Sequence, residues 1–122
     1  MKALVVDDSS VMRKILADAL GRAGIADVGQ AADGAEAVKA VMAQDYGLIL
    51  MDWNMPNMLG IDAVKAIRQN GKKMPIIMVT TEAEKSRVLD AIKAGASNYI
   101  IKPFDPASIV AKIQETLAKA GA

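Results

Sequence analysis

Cysteine and histidine are both missing from the 122 residues. Without cysteine there can be no disulfide and no thiolate chemistry, a composition compatible with a reducing cytoplasm. Without histidine there is no Ser-His-Asp triad, no imidazole metal site and no phosphohistidine on this chain. A nucleophile must therefore be a carboxylate, a hydroxyl or a lysine. Aromatic residues are scarce: Tyr46, Trp53, Tyr99 and Phe104 are all there are, too few for the stacking platforms of single-strand nucleic-acid binders. Charge of one sign is lacking as well. The 15 basic residues nearly balance the 14 acidic ones, and a net charge of +1 steers the chain toward neither nucleic acid nor a membrane surface. The apolar start, MKALVV, meets acids too soon for a signal peptide, and no later run approaches a membrane span. A cytoplasmic protein with no direct nucleic-acid or membrane partner is expected.

What is abundant is core material, since 52% of the residues are hydrophobic, enough for one domain of this length. Short apolar runs at 3–6, 28–32, 48–51, 76–79 and 99–101 read as strands. The stretches 11–23, 35–43, 61–69, 85–94 and 109–118 carry apolar faces near the 3.6-residue period and read as helices. Pro106, after Asp105, suits the first position of the last helix. Five strand–helix units in alternation predict an α/β fold, a doubly wound parallel sheet with helices on both faces. The runs at 3–6, 48–51 and 76–79 are apolar continuously, as strands buried on both faces are. No repeat, low-complexity tract or linker interrupts the chain. We expect a single domain over 1–122, with no output domain.

In open parallel sheets the ligand crevice lies beyond the carboxyl ends of the strands. The first strand delivers Asp7 and Asp8 there, the third Asp52, the fourth Thr80 and Thr81, and the fifth is followed by Lys102 and Pro103. Singly, each has an ordinary structural use. Asp8 or Ser9 can cap a helix, Asp52 can start a turn toward Pro56, Thr80 can be a plain strand residue, and Lys102 a solvated amine. Jointly, four strand ends would have to place such groups at one edge by accident. Carboxylates at about 4 Å repel by roughly 4 kcal/mol per pair at an effective dielectric near 20, and one lysine does not offset three of them. All-oxygen ligands without cysteine or histidine select Mg²⁺, or Mn²⁺, over zinc. Carboxylates, a cation and a lysine suit phosphoryl transfer, with Asp52, on a buried strand end, as the nucleophile.

The segments VVDDSSVMR (5–13), DWNMPNM (52–58), MVTTEA (78–83) and KAGASNYIIKPF (93–104) resemble, in order and spacing, those of response regulator receiver domains, and among them the single-domain members that act in chemotaxis. The resemblance covers nearly the whole chain. It implies a flavodoxin-like sheet of strand order 2-1-3-4-5 with five helices. It makes Asp52 the phosphoacceptor, Asp8 a direct Mg²⁺ ligand with Asp7 acting mainly through water, and Asn54 a metal ligand through its backbone carbonyl. Lys102 would contact the phosphoryl oxygens, and its bond to Pro103 would be cis. Thr80 and Tyr99 would form a switch pair, Thr80 turning to the new oxygens and Tyr99 rotating into the space it leaves. Asn54 and Glu82 match positions that tune dephosphorylation. Lys85, Val88, Tyr99 and Lys112 match a partner-binding face. Two departures stand out: Leu59 occupies a position that is commonly Asp, and Thr81 replaces a smaller residue.

The resemblance implies a signalling switch rather than an enzyme with a diffusible product. Its catalysis would be self-directed, promoting its own phosphorylation and hydrolysis. A histidine kinase would supply the phosphoryl group, and the flagellar motor switch protein is the expected target, with a phosphatase as a further partner. The chain is expected to be a monomer. Two alternatives are a receiver in a phosphorelay or other non-motility pathway, and a small aspartate-nucleophile phosphatase. The phosphatase would need an acid where Asn54 stands. The set Trp53, Asn54 and Glu82 favours chemotaxis over the relay.

Overall fold

A computed structural model describes residues 1–121. In chain order the elements are β1 (Lys2–Val6), α1 (Ser10–Arg22), β2 (Asp27–Ala31), α2 (Gly34–Ala43), β3 (Leu48–Met51), α3 (Gly60–Gln69), β4 (Ile76–Thr80), α4 (Lys85–Ala94), β5 (Asn98–Ile101) and α5 (Pro106–Gly121). The strands form one sheet in the order β2-β1-β3-β4-β5, every neighbouring pair parallel. The expected fold class and strand order are both borne out. Burial follows position in the sheet: every residue of β3 and β4 is buried, whereas the edge strands β2 and β5 are partly exposed. Continuous apolar runs are therefore confined to the sheet centre, where both faces are covered.

Alternation along the strands divides the core in two. Leu4, Val6, Ile49, Met51, Ile76 and Met78 face α2, α3 and α4, meeting Val41, Val64, Ile67 and Ala91. Ala3, Val5, Leu48, Leu50, Ile77 and Val79 face α1 and α5, meeting Leu16, Leu20, Ile109 and Ile113. Among the described residues, no helix is long and apolar enough to cross a membrane.

Local chemistry explains the element ends. The Ser9 hydroxyl accepts a hydrogen bond from the Met12 N–H (3.2 Å) and caps α1. The Asp105 carboxylate accepts one from the Ser108 N–H (2.8 Å), so α5 begins at Pro106 rather than at the first apolar residue of its pattern, Ile109. Gly95, at φ 117°, ends α4 in the left-handed region. Its carbonyl accepts from Nε (3.0 Å) and Nη2 (2.9 Å) of Arg68, which ties α3 to the end of α4. Leu59 stands at the N-cap of α3 and offers no side-chain hydrogen bond there, since an aliphatic side chain has no acceptor.

Gly60 opens α3 against the back of β3. Its N–H donates to the Trp53 carbonyl at 2.8 Å, and a Cβ at this position would run into the Asp52 carbonyl oxygen. The obstacle is backbone, which cannot swing aside. Gly60→Ala is expected to destabilise the fold by about 1–3 kcal/mol, read from urea denaturation. Wild-type stability in that variant would mean that α3 is not seated against β3 as described.

Candidate functional site

Strand order reverses direction around β1, which has β2 on one side and β3 on the other, so the crevice opens between the segments that leave β1 and β3. Backbone pairing continues one residue beyond each strand: the Asp7 N–H donates to the Ala31 carbonyl (3.2 Å) and the Asp52 N–H to the Val6 carbonyl (2.9 Å). Both acids are thus fixed by the sheet ladder rather than by a loose loop. Thr80 closes β4, and the Lys102 N–H donates to its carbonyl at 2.8 Å. The sheet brings Asp7, Asp8, Asp52, Thr80 and Lys102 to one edge.

Asp7 and Asp52 are 1% and 7% exposed, whereas Asp8 is open to solvent. The Lys102 ammonium lies 2.8 Å from Asp7 Oδ2 and 3.5 Å from Asp52 Oδ2. Asp7 Oδ1 accepts from the Ser9 N–H (2.9 Å) and Asp52 Oδ1 from the Trp53 N–H (2.7 Å). Burial, aided by the negative charge of Asp7, holds the Asp52 carboxyl above its ordinary value against the lowering effects of Lys102, the Trp53 N–H and the Thr80 hydroxyl. One ammonium shared between two acids is insufficient. One carboxylate oxygen from each of Asp7, Asp8 and Asp52 lies within 4.8 Å of the others, a hard-oxygen set that fits a divalent cation whose remaining positions are filled by water. The Lys102–Pro103 bond is cis, as the resemblance implied.

Around the mouth, the exposed Asn54 donates from Nδ2 to Glu82 Oε1 at 3.1 Å. The backbone of Glu82 serves both members of the expected switch pair. Its N–H donates to Thr80 Oγ1 (3.3 Å), and its carbonyl accepts from the Tyr99 hydroxyl (2.6 Å). Burial and the Glu82 carboxylate push that hydroxyl up to about 12, so it remains a donor at neutral pH. Tyr99 is half-buried against the segment between β4 and α4, so any rotation of its ring is measured from this seat. Lys85 and Val88 on α4, Tyr99 on β5 and Lys112 on α5 occupy consecutive elements at the β5 edge. They share it with Leu89, Ile92 and Ile101, which are 49%, 46% and 38% exposed. Thr81 is exposed.

Four residues support the site without having been singled out from the sequence. Arg13 donates from Nη1 to the Asp7 carbonyl (2.8 Å) and from Nε to Gln30 Oε1 (2.9 Å), which holds the segment carrying Asp8. Asp33 caps α2 and accepts from Asn57 Nδ2 at 2.7 Å, which anchors the segment after Asp52. The Glu36 N–H and the Asn57 amide keep the Asp33 carboxyl below its ordinary value. Asn57 sits at φ 69°, where asparagine is among the few tolerated residues, and Asn after Pro56 was the available signal. Arg87 stacks its guanidinium 5.6 Å from the Trp53 ring centre.

Because burial raises the Asp52 carboxyl, its ionised form opposes folding. Stability conferred by the neutral acid is complete below its unfolded value near 4 and falls as pH rises through the higher folded value. In metal-free buffer, Asp52→Asn is therefore expected to melt above wild type at pH 7, with the gap closing below about pH 4. A thermal denaturation series across that range decides it; an equal or lower melting temperature at pH 7 would contradict the desolvation balance.

The response regulator receiver domain family matches residues 3–114. Chemotaxis protein CheY1 of Helicobacter pylori is 48% identical over 96% of this chain and 97% of that protein. A chemotaxis protein CheY homolog of Campylobacter jejuni is also 48% identical, over 96% of this chain and 92% of that protein. Among solved structures, chemotaxis response regulator CheY4 of Vibrio cholerae superposes with a TM-score of 0.87 at 36% identity, covering 94% of this chain and 97% of the other. The Francisella response regulator 1452 receiver domain gives 0.89 at 26% identity, covering 98% of both. With the family match spanning residues 3–114 and relatives 48% identical over nearly their whole length, the chain belongs to the response regulator receiver domain family.

Proposed function

We propose that Asp52 accepts a phosphoryl group from a histidine kinase and that the modified protein switches its binding to a chemotaxis target in the cytoplasm, the flagellar motor switch. The supporting observation is the convergence of Asp7, Asp8, Asp52 and Lys102 at the switch point of the sheet, with Asp52 short of countercharge. Asp7, Asp8 and Asp52, with the Asn54 carbonyl, would hold Mg²⁺, which supplies charge neutralisation for phosphoryl oxygens.

The chain's own groups do the rest. Oδ1 of Asp52 is engaged by the Trp53 N–H, which leaves Oδ2, the oxygen facing Lys102, to attack phosphorus as the bond from phosphorus to the donor nitrogen breaks. Lys102 neutralises a phosphoryl oxygen, and Thr80 turns its hydroxyl toward another. A hydrogen bond to a charged group is worth about 1.5–3 kcal/mol, which shifts a two-state population roughly ten- to a hundredfold. Turning Thr80 removes the acceptor of the Glu82 N–H, and Glu82 also carries Tyr99. The change thereby reaches the face formed by Lys85, Val88, Tyr99 and Lys112. Asn54 and Glu82, paired across the mouth, set water access and hence the lifetime of the acyl phosphate. An amide at position 54 cannot protonate a leaving group, which weighs against the phosphatase. The 48% identity to chemotaxis proteins supports a motility role over a relay.

Trp53, the single tryptophan, reports the chemistry. Titrating Mg²⁺ and then acetyl phosphate is expected to change its fluorescence and to add one phosphoryl group by intact mass, with no mass gain in Asp52→Asn. Affinity for a flagellar motor switch peptide is expected to rise about tenfold on phosphorylation. A phosphoryl group retained in Asp52→Asn would overturn the assignment, and equal peptide affinity in both states would overturn the switch.

A further inference from the structure

An open groove of about 710 Å³ lies between α3 and α4, apart from the face around β5. Helical spacing builds it: Lys65 and Arg68 stand three apart on α3, and Arg87, Asp90 and Lys93 repeat at three-residue steps on α4, each set on one side of its helix. Lys85, Val88, Leu89 and Ile92 fall on the opposite side of α4 by the same 3.6-residue period. The groove thus collects four of the chain's 15 basic residues against one of its 14 acidic ones, although the net charge is only +1.

Among the described residues, no carboxylate lies within 4.0 Å of the side-chain nitrogens of Lys65, Arg68, Arg87 or Lys93. Arg68 donates to the neutral carbonyls of Gly95 and Lys72, which fixes the guanidinium in place without cancelling its charge. Arg87 is set over Trp53 in the same way. Four cations that share a groove with a single carboxylate, Asp90, repel one another, and an anionic occupant relieves this. Between the cations the lining turns apolar, with Trp53, Leu59, Ile61 and Ala94. Trp53 is only 3% exposed, so the groove presents no aromatic face on which a base could stack.

We propose that the groove between α3 and α4 binds a carboxylate-rich polypeptide segment, with an aliphatic side chain seated at Leu59. This is a second surface, separate from the switch face, so one helix, α4, can serve two partners from its two sides. Its nearness to Asp52 runs through Trp53, a buried lining residue whose N–H holds the Asp52 carboxylate.

The test uses the whole chain and a short fluorescein-labelled, glutamate-rich peptide carrying one leucine. Anisotropy at low ionic strength is expected to saturate and to weaken as salt rises. Lys65→Glu with Lys93→Glu is expected to raise the dissociation constant about tenfold. Lys14→Glu with Lys39→Glu, an equal charge change on α1 and α2, is expected to leave it nearly unchanged. All four lysines are exposed, and circular dichroism checks that both variants fold. Asp52→Asn is expected to bind the peptide as wild type does, which separates failure here from failure of the phosphoacceptor assignment. Absence of saturation, or equal weakening by the two double substitutions, would overturn the proposal. So would a single-stranded oligonucleotide that binds more tightly than the peptide through Lys65 and Lys93.

Discussion

Repulsion among carboxylates that the backbone will not let part is the constraint on which this structure turns. Asp7 and Asp52 are each pinned by a ladder hydrogen bond one residue beyond a strand, so the sheet order itself dictates that they meet. Relaxing them would mean breaking parallel pairing at the centre of the core. The fold instead tolerates a buried carboxyl above its ordinary value and leaves one side, at Asp8, open to water. A site that is stable yet short of positive charge is primed to take up a cation or to react, and family membership and local electrostatics lead to the same reading.

The sheet also brings the proposed switch pair together through one short stretch of chain. Thr80 and Tyr99 are on adjacent strands, and both are bonded to one residue, Glu82, in the segment that leads into α4. Glu82 also meets Asn54 across the mouth. Thr80, Asn54 and Tyr99 are therefore all linked through one short stretch around Glu82. Its bonds to Thr80 and Tyr99 involve main-chain atoms, so a change of side chain at position 82 leaves that connection in place.

Much of this was legible in the sequence. Central strands announce themselves because burial on two faces requires unbroken apolar runs, as in 48–51 and 76–79. The acids at their ends then fall at one edge by topology alone. The start of α5 was legible from Asp105 and Pro106 rather than from periodicity, since the apolar pattern does not begin until Ile109. Supports such as Arg13 on Gln30, Asp33 with Asn57, and Arg87 over Trp53 depend on contacts between segments distant in the chain. Periodicity carries no trace of them. The groove cations are of this kind too, since spacing places each on a helix face but does not say that two such faces will confront one another.

The position of Lys102 has a consequence for motion. Its ammonium rests on Asp7 at 2.8 Å while Asp52 Oδ2 is 3.5 Å away. A largely buried ammonium already held by a neighbouring acid has less than an ångström to move to come within hydrogen-bonding distance of Asp52 Oδ2. On the proposed mechanism, Lys102 would meet a phosphoryl group from this position without being recruited from bulk water. Asp7 thereby acts as a mooring: it keeps the cation within reach during idle periods and fixes how far it can swing.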